Sequence, residues 1–249
     1  MEFPHRYTGR ADIEIAAFIA SSFAYGRVDL FKPVVGAILS RMGGSPHEAL
    51  RNADRRDLRR FSSDLKYRFN NTDDITCYLH VVSMVLRSYG SLEALFMAHF
   101  RPGDVTTERA MTGFVRSILT IDTAAVYGAD VRPPGFLQFF PSPENGSTCK
   151  RMNLFLRWVV RDRDIDLGIW KGIPKNGLVI PLDTHIARIA LCIGLTNRKS
   201  MDWKMALDVT ESLRSLDPRD PLKYDFALCH QGIAGVCRAA QCADCRIFG

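Results

Sequence analysis

The sequence lacks the features that would place it in a membrane, fibrous or disordered class. Its 249 residues contain no apolar run close to the ~20 residues that a bilayer-spanning helix needs. The polar first ten residues lack the apolar core of a signal peptide. Repeats and low-complexity segments are missing too, and 18 glycines and 12 prolines are ordinary numbers for a globular chain. We therefore expect a soluble, cytoplasmic protein without a membrane partner.

Strand patterns are almost absent as well. The only short apolar run bounded by turn residues is 178–180, between Gly177 and Pro181, and we interpret it as a buried connector. Apolar residues instead recur at helical spacing, most clearly in the stripe of Ile75, Leu79, Val82 and Leu86. The sequence predicts an all-α protein of about nine or ten helices.

Local signals predict where several helices begin and end. Pro33 is expected in the first turn of one helix, where its missing N–H is tolerated. Ser45 to Glu48 has the pattern of a capping box with proline in the first helical position. Gly90 is expected to end the Ile75 helix, and Ser91 to cap the next one.

The charge balance is moderately basic. Lysine and arginine total 33 against 27 acidic residues, which gives a net charge of +6. A surplus of this size permits binding to nucleic acid, because phosphate contacts need cations. It equally suits an ordinary soluble enzyme, so charge by itself decides neither class.

The seven cysteines are unevenly distributed. Three stand alone in apolar surroundings, where a small buried thiol is the simplest interpretation: Cys77, Cys149 and Cys192. Four others crowd into the last 21 residues: Cys229, Cys237, Cys242 and Cys245. In a chain without a secretory signal, such a cluster suggests zinc or iron–sulfur ligation before disulfides.

Residues 145–151 form the first segment with potential chemistry. Gly146 permits a positive φ in a turn, and Ser147 or Thr148 can cap the helix that follows. Lys150 then falls in the first helical turn, where the helix dipole disfavours a charged ammonium. A neutral amine there is a candidate nucleophile, and a solvated lysine is the plain alternative.

Residues 180–189 form the second segment. Asp183 is well placed as an N-cap, where amide donors keep a carboxylate ionised. Its simplest role is structural, and His185 just inside the helix could equally be a structural histidine. The sequence alone leaves both alternatives open.

Together, the two segments resemble the helix-hairpin-helix DNA glycosylase superfamily, which includes endonuclease III and the 8-oxoguanine glycosylases. In that superfamily a glycine-containing hairpin presents a catalytic lysine, and a downstream Val-Asp-Thr-His motif supplies a catalytic aspartate. Residues 145–150 correspond to the hairpin, with Thr148 or Cys149 in place of its second glycine. Residues 182–188, Leu-Asp-Thr-His-Ile-Ala-Arg, match the aspartate motif closely.

Nearly the whole chain also resembles a family of uncharacterised bacterial proteins related to this superfamily. The segments that carry this likeness are 23–27, 150–158, 181–185, 217–218 and 223–228. Lys150 and Asp183 are 33 positions apart, a wide spacing that is similar to the archaeal 8-oxoguanine glycosylases. This likeness favours an oxidised purine as substrate.

The resemblance implies a single glycosylase-like unit. Its fold would be a two-lobed helical bundle with a helix-hairpin-helix motif at the cleft between the lobes. The lobes would comprise residues 28–145 and residues 1–27 plus 146–236, followed by a cysteine-containing tail at 237–249. The protein would act as a monomer at the nucleoid, on double-stranded DNA with a damaged base or abasic site.

The resemblance also implies a bifunctional glycosylase and lyase of base-excision repair. Lys150 would form a Schiff base with the sugar, and Asp183 would assist deprotonation and stabilise positive charge. The expected DNA contacts lie at the two helix starts: Gly146, Ser147, Thr148, Arg151, Thr184, His185 and Arg188. Three aromatic side chains are candidates for a base pocket, with core packing as the alternative for each: Tyr25, Phe155 and Trp158.

Two alternatives stay open. One is a non-catalytic module that recognises DNA structure or damage with the same fold. The other is a metal or redox role for the cysteine tail, in which Cys237, Cys242 and Cys245 resemble three ligands of the endonuclease III cluster. No fourth cysteine follows them, and Cys229 would have to substitute. We therefore expect no resident cofactor, with zinc or an iron–sulfur cluster as the alternative.

Overall fold

The computed structural model describes residues 2–233, and the regular secondary structure in this range is all helical, with no strand. It contains thirteen α-helices: α1 Arg10–Ser22, α2 Val28–Met42, α3 Pro46–Asn52, α4 Arg55–Ser62, α5 Thr72–Tyr89, α6 Leu92–His99, α7 Glu108–Leu119, α8 Ala124–Tyr127, α9 Pro134–Leu137, α10 Lys150–Val160, α11 Thr184–Cys192, α12 Trp203–Leu216 and α13 Asp225–Ile233. The all-α prediction is confirmed. The helix count exceeds the expectation because helices of four residues, such as α8 and α9, are too short to show a periodic stripe.

The core is organised around α5. Asn71 and Asp74 form a reciprocal capping box at its start, and Gly90, with φ of 82°, ends it as the sequence predicts. The predicted stripe from Ile75 to Leu86 is completely buried. Helices α3, α4, α6, α7, α8 and α9 all pack against α5, so this helix fixes the position of the middle of the chain.

A second packing relationship joins the N-terminal part of the chain to the helix that carries Lys150. Helix α1 lies against α10, with the Phe18 and Phe155 rings 5.0 Å apart. Glu14 on α1 is buried, accepts the Leu92 and Glu93 amides, and also accepts a hydrogen bond from the Trp170 indole at 2.8 Å. Because α1 is held in this way, the residues that follow it meet the start of α10.

Two predicted helix starts differ in detail. Pro33 lies in the interior of α2, because this helix begins at Val28, with an exposed first turn that adds nothing to its buried stripe. Helix α3 begins at Pro46 as predicted, but Ser45 does not cap it with its side chain. The Ser45 hydroxyl instead donates to Asp12 on α1 at 3.0 Å. Ser91 caps α6 through the Ala94 amide, as expected.

The single turn α9 and a 3₁₀ turn at Pro143–Asn145 precede α10. The helix-hairpin-helix motif stays a prediction. The lobe boundaries stay predictions too. Residues 178–180 are fully buried without forming a strand, which confirms the connector interpretation.

Within the described residues, no single helix has the length and apolar character needed to cross a membrane. Helices α5 and α6 meet that test only when they are taken together, and they are bent by 73° where they join.

Candidate active site

Lys150 and Asp183 lie side by side at the point where two helices begin. Lys150 is the first residue of α10 and Asp183 is the N-cap of α11. The Lys150 Nζ is 3.8 Å from Asp183 Oδ2, and the two side chains are 32% and 21% exposed. The proximity that the resemblance implied is therefore confirmed. Both groups are accessible from solvent and close enough to exchange a proton through a small movement.

The Lys150 side chain is positioned by the backbone on either side of it. Cys149, the N-cap of α10, adopts a left-handed conformation with φ of 49°, after Gly146 at φ of 73°. These two residues turn the chain sharply into the helix. The Lys150 amine also donates to the Ala24 carbonyl at 3.3 Å, which joins it to the segment after α1.

The prediction that Ser147 or Thr148 caps α10 is wrong. Neither Ser147 nor Thr148 caps the helix with its side chain. The Ser147 hydroxyl accepts the Cys149 amide at 3.2 Å, and the Asn153 amide group donates to the Thr148 carbonyl at 3.1 Å. Cys149 occupies the cap position, and the Ser147 hydroxyl and Thr148 carbonyl form local hydrogen bonds instead of capping the helix.

Asp183 is a true N-cap, as predicted. Its Oδ1 accepts the His185 and Ile186 amides, each at 3.0 Å. Oδ2 faces Lys150. The helix end thus fixes the orientation of the carboxylate and leaves one oxygen directed at the amine.

A buried carboxyl group lies behind this pair. Asp225, at the start of α13, is 3% exposed and forms an ion pair with Arg157 of α10. Burial raises the pKa of Asp225 to about 6, against the opposing effect of the Arg157 guanidinium, and the charge of Asp183 raises it further. Sequence reasoning missed Asp225, because nothing local distinguishes it from any other aspartate at a helix start.

Cys229 faces the same pair from the next turn of α13. Burial raises the pKa of its thiol, the charges of Asp183 and Asp225 raise it further, and Lys150 lowers it. Among residues 2–233, no group of three or more histidine, cysteine or acidic side chains could hold a metal ion. The other three cysteines of the predicted cluster, Cys237, Cys242 and Cys245, lie outside the described residues.

The arginines in α10 and directly after it form hydrogen bonds to other groups of the protein. Arg151 was expected to contact DNA, but its guanidinium donates to the carbonyls of Ser22 and Gln138 and stacks 4.8 Å from the centre of the Tyr25 ring. These contacts occupy two of the five N–H donors of Arg151, and its contact with DNA stays a prediction. Arg157 and Arg161 are buried.

The other predicted DNA-contact residues lie close to Lys150 or Asp183 along the chain. Gly146 and Thr184 are exposed, and the remaining four are partly exposed: Ser147, Thr148, His185 and Arg188. Contact with DNA stays a prediction for each of them.

Two of the three base-pocket candidates are wrong. Phe155 is completely buried, with its ring against Phe18 and Trp170, and Trp158 is only 7% exposed. Both belong to the face of α10 that packs into the core, so neither can receive a base. The core-packing alternative is therefore confirmed for these two residues.

Tyr25 stays near the surface beside Lys150. Its hydroxyl donates to the Asn70 side chain, and its ring meets the Tyr67 ring edge-on at 4.7 Å. Burial raises the pKa of Tyr25 to about 12, so its hydroxyl is a hydrogen-bond donor at neutral pH. The turn that carries Tyr67 and Asn70 was not identified from the sequence.

Comparison with known proteins gives one finding. No curated protein and no solved structure gives a significant match to the chain. One family model matches residues 1–234, which excludes the three cysteines at 237, 242 and 245. With nearly the whole chain covered, the protein belongs to the family described as "Protein of unknown function (DUF2400)".

Proposed function

We propose that this protein is a DNA glycosylase with lyase activity, which removes a damaged base through an imine formed on Lys150. One observation carries the proposal: a solvent-accessible amine lies 3.8 Å from an oriented carboxylate, at two converging helix starts. This pair has the parts that amine catalysis at a sugar requires, namely a nucleophile and an adjacent proton acceptor. The sequence resemblance to helix-hairpin-helix glycosylases supports the same chemistry.

The proposed reaction begins with a damaged nucleotide that leaves the base stack, which costs least where pairing is already weak. The neutral Lys150 amine attacks the sugar C1′, and the bond from C1′ to the base breaks, with its electron pair leaving on the base. Asp183 Oδ2 accepts the proton that the amine loses, and the departing base takes up a proton. The Oδ1 contacts of Asp183 hold that carboxylate in place throughout.

Strand cleavage follows from the same intermediate. The sugar ring opens as the C1′–O4′ bond breaks, O4′ takes a proton, and a protonated imine joins C1′ to Lys150 Nζ. Loss of a proton from C2′ then expels the phosphate at C3′ and nicks the strand. Hydrolysis of the imine finally restores the lysine.

The substrate class is double-stranded DNA with a damaged base or an abasic site. An oxidised purine such as 8-oxoguanine is the first lesion to test, because of the wide spacing between Lys150 and Asp183. A chain that carries this activity would act as a monomer in the cytoplasm, at the nucleoid, and the reaction as written requires no metal.

Borohydride trapping tests the proposal directly. Borohydride reduces the imine, so wild-type protein should form a covalent adduct with a duplex that carries an abasic site or 8-oxoguanine. Lys150→Ala should form none. Lys175→Ala is a matched control, because the Lys175 side chain is also 32% exposed and also paired with an aspartate, Asp162. It should trap as wild type does.

The outcomes separate the alternatives. An adduct that persists in Lys150→Ala would refute the assignment of the nucleophile. If wild type forms no adduct on any lesion but prefers damaged over intact duplex, the protein is a non-catalytic recognition module. If it binds no DNA at all, the repair proposal is wrong, and the metal content of the cysteine tail becomes the next measurement.

A further inference from the structure

An exposed aromatic side chain stands on a rigid turn beside the candidate active site. Tyr67 and Asn70 exchange two backbone hydrogen bonds, each 2.9 Å, and thereby close a turn whose two central residues are Arg68 and Phe69. Phe69 is 67% exposed, more than any other aromatic residue that the structure describes. Arg68 has a φ of 51°, a conformation that residues other than glycine seldom adopt.

The base of the turn is anchored inside the protein. Tyr67 is 4% exposed, and its hydroxyl donates to the Tyr25 carbonyl. Asn70 is 2% exposed, and its side chain accepts from the Tyr25 hydroxyl while donating to the Gly135 carbonyl at 2.6 Å. The exposure of Phe69 is therefore imposed by buried contacts on both sides of it. Backbone strain that the surroundings maintain in this way is typical of functional sites.

Two arginine guanidinium groups and two aromatic rings alternate in space between the start of α10 and this turn. The Arg151 guanidinium carbon lies 4.8 Å from the centre of the Tyr25 ring. On the outer side, the Arg68 guanidinium carbon lies 5.9 Å from the Tyr25 ring and 5.5 Å from the Phe69 ring. Tyr25 directly follows Ala24, whose carbonyl accepts the Lys150 amine. Phe69 thus stands at the outer end of a series of contacts that begins at the candidate nucleophile.

We propose that Phe69 is a nucleobase-stacking site, in which its ring stacks on a base next to the nucleotide that reacts with Lys150. Every base presents a flat π face, and exposed aromatic rings flanked by cations are how proteins hold unstacked bases. Arg68 supplies the cation, and the turn supplies the rigidity that lets one ring enter a disrupted base step. This site rests on the proposed function, since a base is present only if the substrate is a nucleic acid.

The test uses a duplex with a tetrahydrofuran abasic-site analogue and the same duplex without it. Phe69→Ala should lose about 5- to 150-fold in affinity for the abasic duplex, the loss expected for one base–aromatic stack, and less than two-fold for the intact duplex. Phe69→Trp should retain wild-type affinity. Tyr89→Ala is the control: Tyr89 is 47% exposed at the opposite end of α5, about 25 Å from the start of that helix.

A fluorescence measurement distinguishes stacking from a structural role. The three native tryptophans are largely or completely buried, so Phe69→Trp introduces an exposed indole. Its emission should be quenched when the abasic duplex binds, as an indole that stacks on a base would be. Quenching together with the affinity loss in Phe69→Ala supports the site.

Failure of the site and failure of the proposed function give different results. If wild type traps with borohydride but Phe69→Ala binds the abasic duplex as wild type does, the stacking site is wrong and the glycosylase proposal stands. Binding without any quenching in Phe69→Trp also overturns the site. If wild type neither traps nor binds either duplex, both proposals fail, and Phe69 would then suit a protein partner.

Discussion

One carboxylate oxygen of Asp183 lies near the Lys150 amine, and the other accepts main-chain amides of α11. Oδ2 lies 3.8 Å from Lys150 Nζ, while Oδ1 accepts two amides at the start of α11. The helix therefore aligns the carboxylate without using the oxygen that faces the amine. The structural cap and the proposed proton acceptor are therefore different oxygens of one side chain, so the two roles can be separated by mutation.

The substitution Asp183→Asn should separate them. Asparagine is as good an N-cap as aspartate, so we expect the thermal unfolding midpoint to stay nearly unchanged. The amide cannot accept the proton from Lys150, so base removal should slow by at least about 100-fold, the usual contribution of a positioned base. Single-turnover nicking of a substrate that wild type cleaves measures the rate.

Asp202→Asn is the matched control for that experiment. Asp202 caps α12 through the Met205 amide at 2.9 Å, and it is an N-cap that faces an arginine rather than Lys150. Both its stability and its nicking rate should equal those of wild type. A nicking rate in Asp183→Asn within about three-fold of wild type would remove Asp183 from the mechanism.

The buried ion pair between Arg157 and Asp225 should contribute strongly to the free energy of unfolding. Arg157 contacts both Asp225 and Asp166, and all three side chains are at most 5% exposed. Arg157→Met should lower the free energy of unfolding by about 3–5 kcal/mol, because two carboxylates lose a buried partner. Urea unfolding monitored by circular dichroism gives the value.

An exposed pair provides the comparison for Arg157. Arg60 bonds Asp57 at 3.1 Å, but its side chain is 63% exposed. Arg60→Met should change stability by less than about 1 kcal/mol, as is usual for surface ion pairs. Equal effects of the two substitutions would show that burial is not what makes the Arg157 pair important.

The raised pKa of Asp225 should make the free energy of unfolding depend on pH. Its pKa is about 6 in the folded protein, above the ordinary value of 3.8, because burial disfavours the charged carboxylate. The folded state therefore holds the proton more tightly than the unfolded state, and this group's contribution to stability falls as pH rises from about 4 to about 6. Above that window the contribution is constant.

Comparison with Asp225→Asn isolates this effect. The asparagine does not titrate, so the unfolding free energy of wild type minus that of the variant should decrease by roughly 2–3 kcal/mol between pH 4 and pH 7. Urea unfolding at half-unit pH intervals gives the curve. A difference that is independent of pH, or that increases with pH, would contradict the assignment.

Gly135 controls the position of the turn that carries Phe69. A Cβ at this position would lie 2.8 Å from the Phe69 carbonyl oxygen and would clash with the Asp74 carboxylate. Gly135→Ala should therefore destabilise the protein by about 1–3 kcal/mol and weaken binding to the abasic duplex. Gly44→Ala is the control, since a Cβ there meets nothing within 4 Å. Unchanged stability in Gly135→Ala would show that the turn moves freely.

Much of the secondary structure could be predicted because its causes are local. The Ser91 and Asp183 caps involve atoms at most three residues apart in sequence. The α5 stripe follows from periodicity alone. The capping prediction for α3 is wrong because a more distant contact has intervened: the Ser45 hydroxyl bonds Asp12 instead of its own helix.

The features of the candidate site also fall into two groups, those set by local sequence and those set by tertiary packing. The sequence by itself determined an all-helical chain and two helix starts, each with a reactive side chain in a suitable position, at Lys150 and Asp183. Tertiary structure alone decided that Arg151 donates to the Ser22 carbonyl, that Phe155 and Asp225 are buried, and that the Phe69 turn stands next to Tyr25. The physical reason is that a cap or a stripe is encoded within a few residues, whereas a helix presents several faces of similar composition. Which face is buried depends on packing against segments more than 100 residues away, as α1 packs against α10.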